Sequence, residues 1–169
     1  MHRKAEMGKA GVDVEALEAL YRANLPCFVR AATAITGDEA TGRDAVQDAF
    51  VQAVREREGF RHEAPLEAWV WRIVVNEALA LRRHRRVEPE WDPELNAASS
   101  NGVPQRDAMV RAWVAALPER QRLAVFLRYF ADLDYRSIAT ALDVEVGTVS
   151  ATLAAAHRAL RPLFQEVRP

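Results

Sequence analysis

The chain has 169 residues, with 23 Lys and Arg against 24 Asp and Glu, a formal net charge of −1. That length holds one ordinary domain or two very small ones. Half of the residues are apolar and 28% are charged, which excludes a disordered chain, and the near-neutral balance means that any attraction to nucleic acid has to be local. Cys27 is the single cysteine, so an internal disulfide or a cysteine zinc site is excluded. Among Leu25, Phe28 and Val29 it reads as a small core residue. There is no run of 18 apolar residues and no hydrophobic N-terminal segment, so the expectation is a cytoplasmic protein without membrane insertion.

Apolar residues recur at three and four positions with no β-alternation, which predicts an all-α chain. Residues 1–12 read as a loose tail with Gly8 and Gly11. From Asp13, the series Val14, Leu17, Leu20, Tyr21, Phe28 and Ile35 follows one helical face, with Pro26 kinking or restarting the helix. Thr36-Gly37-Asp38 ends it and starts a second, whose stripe is Ala45, Val46, Ala49, Phe50, Ala53 and Val54. Its other face carries Arg43, Asp44, Gln47, Asp48 and Gln52. Residues 58–65 read as a loop, and Pro65 opens a third helix. Leu66, Trp69, Val70, Ile73 and Val74 face inward, and the helix runs into Arg82, Arg83, Arg85 and Arg86. Such a basic run also suits a helix C-terminus.

The character then changes. Residues 88–105 hold three prolines, four acids and no base, and read as a linker. Beyond it, Ala108, Met109, Ala112, Trp113, Ala116 and Leu117 make an amphipathic helix, and Pro118 starts another with Leu123, Phe126 and Leu127 inward. The chain therefore divides into a tail (1–12), a first helical domain (13–87), a linker (88–105) and a second helical domain (106–169). Eighteen linker residues span at most about 60 Å extended and roughly 23–25 Å as a coil. The second domain carries the sharpest local signal. A short helix from Tyr135 to Leu142, the turn Asp143-Val144-Glu145 and a longer helix from Val146 form a helix-turn-helix pattern, which often presents its second helix to DNA. No HExxH, phosphate-binding glycine loop or serine elbow is present, and His2, His62, His84 and His157 are scattered. No catalytic residue, metal or cofactor is expected.

The segment LPERQRLAVFLRYFADLDYRSIATALDVEVGTV (117–149) resembles region 4 of bacterial sigma factors of the extracytoplasmic-function class. LYRANLPCFVRAATAITGDEATGRDAVQDAFVQAV (20–54) and FRHEAPLEAWVWRIVVNEALALRRHRR (60–86) resemble the two halves of their region 2. The likeness covers about 20–86 and 108–164. It implies a subunit that directs core RNA polymerase to promoters and assists their opening. Asp44, Gln47, Asp48 and Val51 would then dock on polymerase. Phe60, Arg61, His62 and Glu63 would capture bases of the melted non-template strand, where stacking is worth about 1–3 kcal/mol per base. Trp69 reads as core, whereas Trp71 and Arg72 are freer to meet DNA. Asn76 matches a frequent family asparagine, but Ala80 stands where the family often has an acid. Arg82, Arg83, Arg85 and Arg86 would grip phosphates.

The second helix of the helix-turn-helix departs from the family. It continues as Ser150, Ala151, Thr152, Leu153 and three alanines, and positive charge returns only at Arg158. Recognition of a −35 duplex through Arg136, Thr148, Ser150, Ala151, Thr152 and Arg158 would therefore be weak, because the bidentate Arg–guanine contact is missing. The resemblance implies core polymerase, promoter duplex and melted strand as partners, and leaves room for an anti-sigma factor. Two other readings stand beside it: a non-initiating polymerase- or DNA-binding regulator of the same fold, and an enzyme, for which no reactive site is visible. The linker arithmetic leads to a further expectation, that the two domains pack together in the free or inhibited protein and separate on polymerase.

Overall fold

The computed structural model describes residues 11–85 and 112–166, without the side chains of Arg85 and residues 163–166. The expected linker, Arg86 and most of the expected tail lie outside those residues. Among the described residues the regular structure is helical, with no strand.

Helix α1 runs from Val14 to Thr36 straight through Pro26, so the expected restart does not occur. Pro26 is exposed, and the carbonyl it deprives of a donor can turn to water. Gly37 ends α1 in the left-handed region at φ 89°, its N–H on the Thr33 carbonyl at 2.8 Å. Asp38 then caps α2 (Glu39–Glu56), accepting from the Thr41 N–H at 2.9 Å and from the Thr41 hydroxyl. Ala45, Val46, Ala49 and Ala53 are buried as the stripe requires, and Phe50 and Val54 are half-buried. A short 3-10 turn (Arg57–Gly59) and a loop lead to α3 (Leu66–Arg85). Pro65 opens it, accepting from the Trp69 N–H at 3.1 Å.

Gly42 sets how closely α1 and α2 approach. A Cβ there would stand 2.5 Å from the Thr33 hydroxyl and 2.7 Å from its backbone nitrogen. The helix propensity that alanine adds is about 1 kcal/mol, whereas overpacking costs about 1–3 kcal/mol. Gly42→Ala is therefore expected to lower stability on balance, read as a lower urea midpoint.

In the second half, residues 112–115 are helical and α4 (Glu119–Tyr129) follows Pro118. Ala115 and Leu117 are buried whereas Ala112 and Ala116 are exposed, so the inward face differs from the expected one. Helices α5 (Tyr135–Leu142) and α6 (Val146–Glu166) are bent by 100° about the turn between them, within the range of a helix-turn-helix. Ile138, Ala139, Val149 and Leu153 are buried, and with Leu123, Leu127, Ala156 and Leu160 they form the core of this half.

The two halves pack on each other, with α5 against α3. This explains the largest departure from the expected patterning. Helix α3 buries Trp71, Val75 and Ala78 as well as Trp69, Val70, Ile73 and Val74, because α1 and α2 cover part of it and α5 another part. Cys27 is half-buried and packs against the core at the same junction, its Sγ 3.8 Å from the Phe130 carbonyl. The end of the expected tail is also tied down. Gly11 donates to the Phe60 carbonyl at 2.9 Å, and Val12 to that of Arg57 at 3.0 Å. Among the described residues no single helix is long and apolar enough to cross a membrane.

Candidate nucleic-acid interface

Three surfaces gather the candidate residues. On α2, Asp44, Gln47, Asp48 and Val51 share one face at helical spacing. All four are exposed, and Val51 is an apolar side chain 46% open in a polar setting.

The second surface is the loop before α3 together with α3 itself. Arg61, His62 and Glu63 are exposed. Phe60 is not, which corrects the expectation that it captures a base. It is 5% exposed, with its ring 5.2 Å from that of Trp69 and 4.5 Å from the His62 imidazole. It anchors the loop from below while its neighbours face outward. His62 adopts φ 58° and its Nε2 lies 2.9 Å from the Gly11 carbonyl, so the N-terminal segment holds the loop's shape. Along α3, Asn76 and Arg83 are exposed and Arg72 is half-buried.

Trp71 is the second correction. It is fully buried, 4.4 Å from the Phe28 ring and 6.3 Å from that of Phe126 in α4. In this arrangement it cannot stack on a base. The surface period expected of α3 failed because a second helical unit covers that side. The indole Nε1 is buried, and its interaction with the Glu67 carboxylate falls short of hydrogen-bond geometry. Burial pushes the Glu67 carboxyl up, the Trp71 indole opposes this, and Asp132 from the second half adds to the rise.

The third surface is the helix-turn-helix. Asp134 caps α5, accepting from the Ser137 N–H at 2.7 Å. Asp143 turns the chain at φ 52°, and the Val144 N–H closes the turn on the Ala139 carbonyl at 3.0 Å. Arg136, Thr148, Ser150, Ala151 and Arg158 are exposed and Thr152 is half-buried. The Asp134 carboxyl is held below its usual range by the Ser137 N–H and hydroxyl, with Arg136 assisting. Asp134→Ala is expected to cost roughly 0.5 kcal/mol, the lower end of the capping range, because the carboxylate is exposed. A depressed pKa makes this contribution fully present above about pH 4 and lost as pH falls through the lower folded value. The stability gap between wild type and variant should thus close on acidification in denaturant titrations.

The structure also brings residues of the two halves together. Arg82 pairs with Glu119 at the start of α4, Nη1 to Oε2 at 2.5 Å. Arg122 stands beside them, lowered by burial, raised by Glu119 and lowered by Arg82, while donating to the Ala115 carbonyl at 2.8 Å. A cleft of about 750 Å³ runs between the 59–64 loop and the turn into α6, with Arg61, Arg72, Arg136, Asp143 and Glu145 on its walls. A second, of about 420 Å³, is lined by Arg72, Asn76, Arg83 and again Asp143. Glu119 was not singled out from sequence, where a carboxylate meeting an arginine tens of residues away leaves no signal. Among the described residues no group of three or more His, Cys, Asp or Glu could hold a metal ion.

Comparison with known proteins places these surfaces in context. Residues 20–87 match the sigma-70 region 2 family and residues 108–160 the sigma-70 region 4 family. The chain is 31% identical over 150 residues to the RNA polymerase sigma-H factor of Pseudomonas aeruginosa, covering 76% of this chain and 78% of that one. It is 30% identical over 134 residues to the ECF RNA polymerase sigma-E factor of Escherichia coli K12, covering 69% and 70%. The chain belongs to the ECF class of sigma factors. As a sigma factor it is a promoter-specific initiation factor for RNA polymerase. The fold agrees. CnrH, solved with the cytosolic domain of CnrY, superposes with a TM-score of 0.68 at 24% identity over 92% of each chain. RpoE of Bartonella quintana, solved with the anti-sigma factor NepR, superposes at 0.69 and 20% identity over 91% of this chain and 99% of that one.

Proposed function

We propose that this sigma factor works as two units, residues 13–87 and 106–169 joined by the 88–105 linker, with the three surfaces divided between them. The α2 face of Asp44, Gln47, Asp48 and Val51 binds core polymerase. Arg61, His62 and Glu63 with Arg72, Asn76, Arg82, Arg83, Arg85 and Arg86 hold the −10 element and its melted strand. Arg136, Thr148, Ser150, Ala151, Thr152 and Arg158 meet the −35 duplex. Promoter opening is assisted by the exposed loop, which offers hydrogen bonds to base edges without an aromatic platform of its own. An anti-sigma factor is a further partner, an extension supported by the two structural neighbours that were solved with such inhibitors or with a partner's cytosolic domain.

The observation that carries this reading is the simultaneous exposure of Asp44, Gln47 and Asp48 on α2, of Arg61, His62 and Glu63 in the loop and of Thr148 and Ser150 at the α6 N-terminus on one chain with both sigma regions. Transcription with purified core polymerase tests it. The full chain should start transcripts at discrete sites, and Asp48→Arg should abolish both co-purification with core and transcript formation. Co-purification without any transcript would instead identify a non-initiating polymerase binder. On promoters so mapped, −35 substitutions should reduce output less than −10 substitutions, because α6 offers single hydrogen bonds and methyl contacts rather than a guanine clamp.

A further inference from the structure

Charged side chains of both signs line the larger cleft, and no two of them pair. Arg61 and Glu63 come from the loop, Arg72 from α3, Arg136 from α5, and Asp143 and Glu145 from the turn into α6. None of these side chains makes an ion pair or a hydrogen bond with a described residue, whereas Arg22, Arg43, Arg57, Arg82 and Arg128 each hold a carboxylate. Arg136 assists Asp134 through space alone, and Asp134 lies outside the cleft. Arg72 is half-buried while Arg61 and Arg136 are exposed, so it has given up water without gaining a carboxylate. Opposite charges gathered in one cleft and held apart fit a ligand that enters between them. Guanidinium groups take phosphate through forked, charge-assisted hydrogen bonds. Carboxylates accept from hydroxyl and amino groups. Phe60 and Trp69 add an apolar strip to the wall. The volume of about 750 Å³ lies inside the roughly 300–1,000 Å³ of small-molecule sites, which favour clefts between packed units.

We infer that this cleft binds a nucleotide carrying two or more phosphates. The phosphates sit on Arg61, Arg72 and Arg136, and ribose hydroxyls or a base amino group meet Glu63, Asp143 and Glu145. A naked polyphosphate fits less well, because its far end would lie against the three carboxylates. Arg72 and Arg136 belong to different halves of the chain, so the site is complete only with α5 against α3. The inference stands apart from the promoter reading, since binding is measured without DNA.

Isothermal titration calorimetry of the full-length protein with ADP and with GDP, at low salt and without magnesium, tests this. The tighter of the two should bind once per chain. Its nucleoside and inorganic pyrophosphate should each bind at least about tenfold more weakly, because each lacks one end of the contacts. Arg72→Gln and Arg136→Gln should each weaken the nucleotide by about tenfold or more, the cost of one charged hydrogen bond. Arg30→Gln, which removes an exposed charge of α1 outside the cleft, should change nothing. No saturable binding of ADP or GDP up to millimolar concentration would overturn the site. Pyrophosphate binding as tightly as the nucleotide would overturn the nucleotide assignment. Equal weakening by Arg30→Gln would reduce the effect to net charge and overturn the inference as well. Full affinity in Arg136→Gln, a change at an exposed position that the fold tolerates, would overturn the bridging of the two halves.

Discussion

Trp71→Ala is expected to lower the unfolding free energy by about 3–5 kcal/mol, the range for truncating a buried large aromatic. The indole is fully buried between Phe28 of α1 and Phe126 of α4. Two helical units frame the site, so neither can collapse into the void without breaking its contact with the other. A surface tryptophan engaged only with DNA would change stability by no more than about 0.5 kcal/mol. Urea denaturation followed by far-UV circular dichroism distinguishes the two directly. Trp71→Phe keeps an aromatic ring against Phe28 and should recover a large part of the loss. Stability unaffected by either change would return the side chain to solvent.

The second large effect concerns the basic end of α3. With Arg82, Arg83, Arg85 and Arg86 replaced by alanine, the sigma factor bound to core polymerase should lose affinity for all promoter sequences alike. Phosphate contacts position a protein without reading bases, so the loss carries no sequence preference. Each duplex phosphate contact removed should flatten the dependence of log affinity on log salt by roughly 0.9, and by less on single strands. Four contacts amount to about a hundredfold between 50 and 200 mM salt. Competition binding at several salt concentrations gives the slope, and an unchanged slope would make these residues helix-terminal charges only.

What could be read from the sequence was local. Gly37 followed by Asp38, Pro65 before an apolar period, and the turn at Asp143 each fix backbone geometry within a few residues, and each appears where expected. The outward placement of Asp44, Gln47 and Asp48 on α2 was legible for the same reason, since spacing sets which side chains share a face. Trp71 misled because part of its surroundings comes from a distant segment, and Phe60 because its loop folds back over the start of α3. The offset of Trp71 by two positions from the core residue Trp69 suggested an outward face, but α4 supplies Phe126 from more than fifty residues away. Phe60 sits in a polar loop yet turns under it onto Trp69. Pro26 does not restart the helix, because one exposed proline within a long amphipathic helix removes a single hydrogen bond and leaves the packing face intact. The Glu119–Arg82 pair spans 37 residues, and nothing in either segment announces the other.

The attachment of Gly11 and Val12 to the loop bears on how the protein should be handled. Three hydrogen bonds join these two residues to Arg57, Phe60 and His62. Gly11 sits at φ 103°, where a side chain would be strained, and an added Cβ would also stand 3.2 Å from the Arg57 carbonyl. An affinity tag fused directly at Val14, or a protease that trims the chain back to α1, would leave helix content unchanged in a spectrum while releasing the segment that shapes the loop proposed to meet DNA. Such a preparation would pass as folded and be a poorer reader of promoters, so tags belong at the far end of the chain.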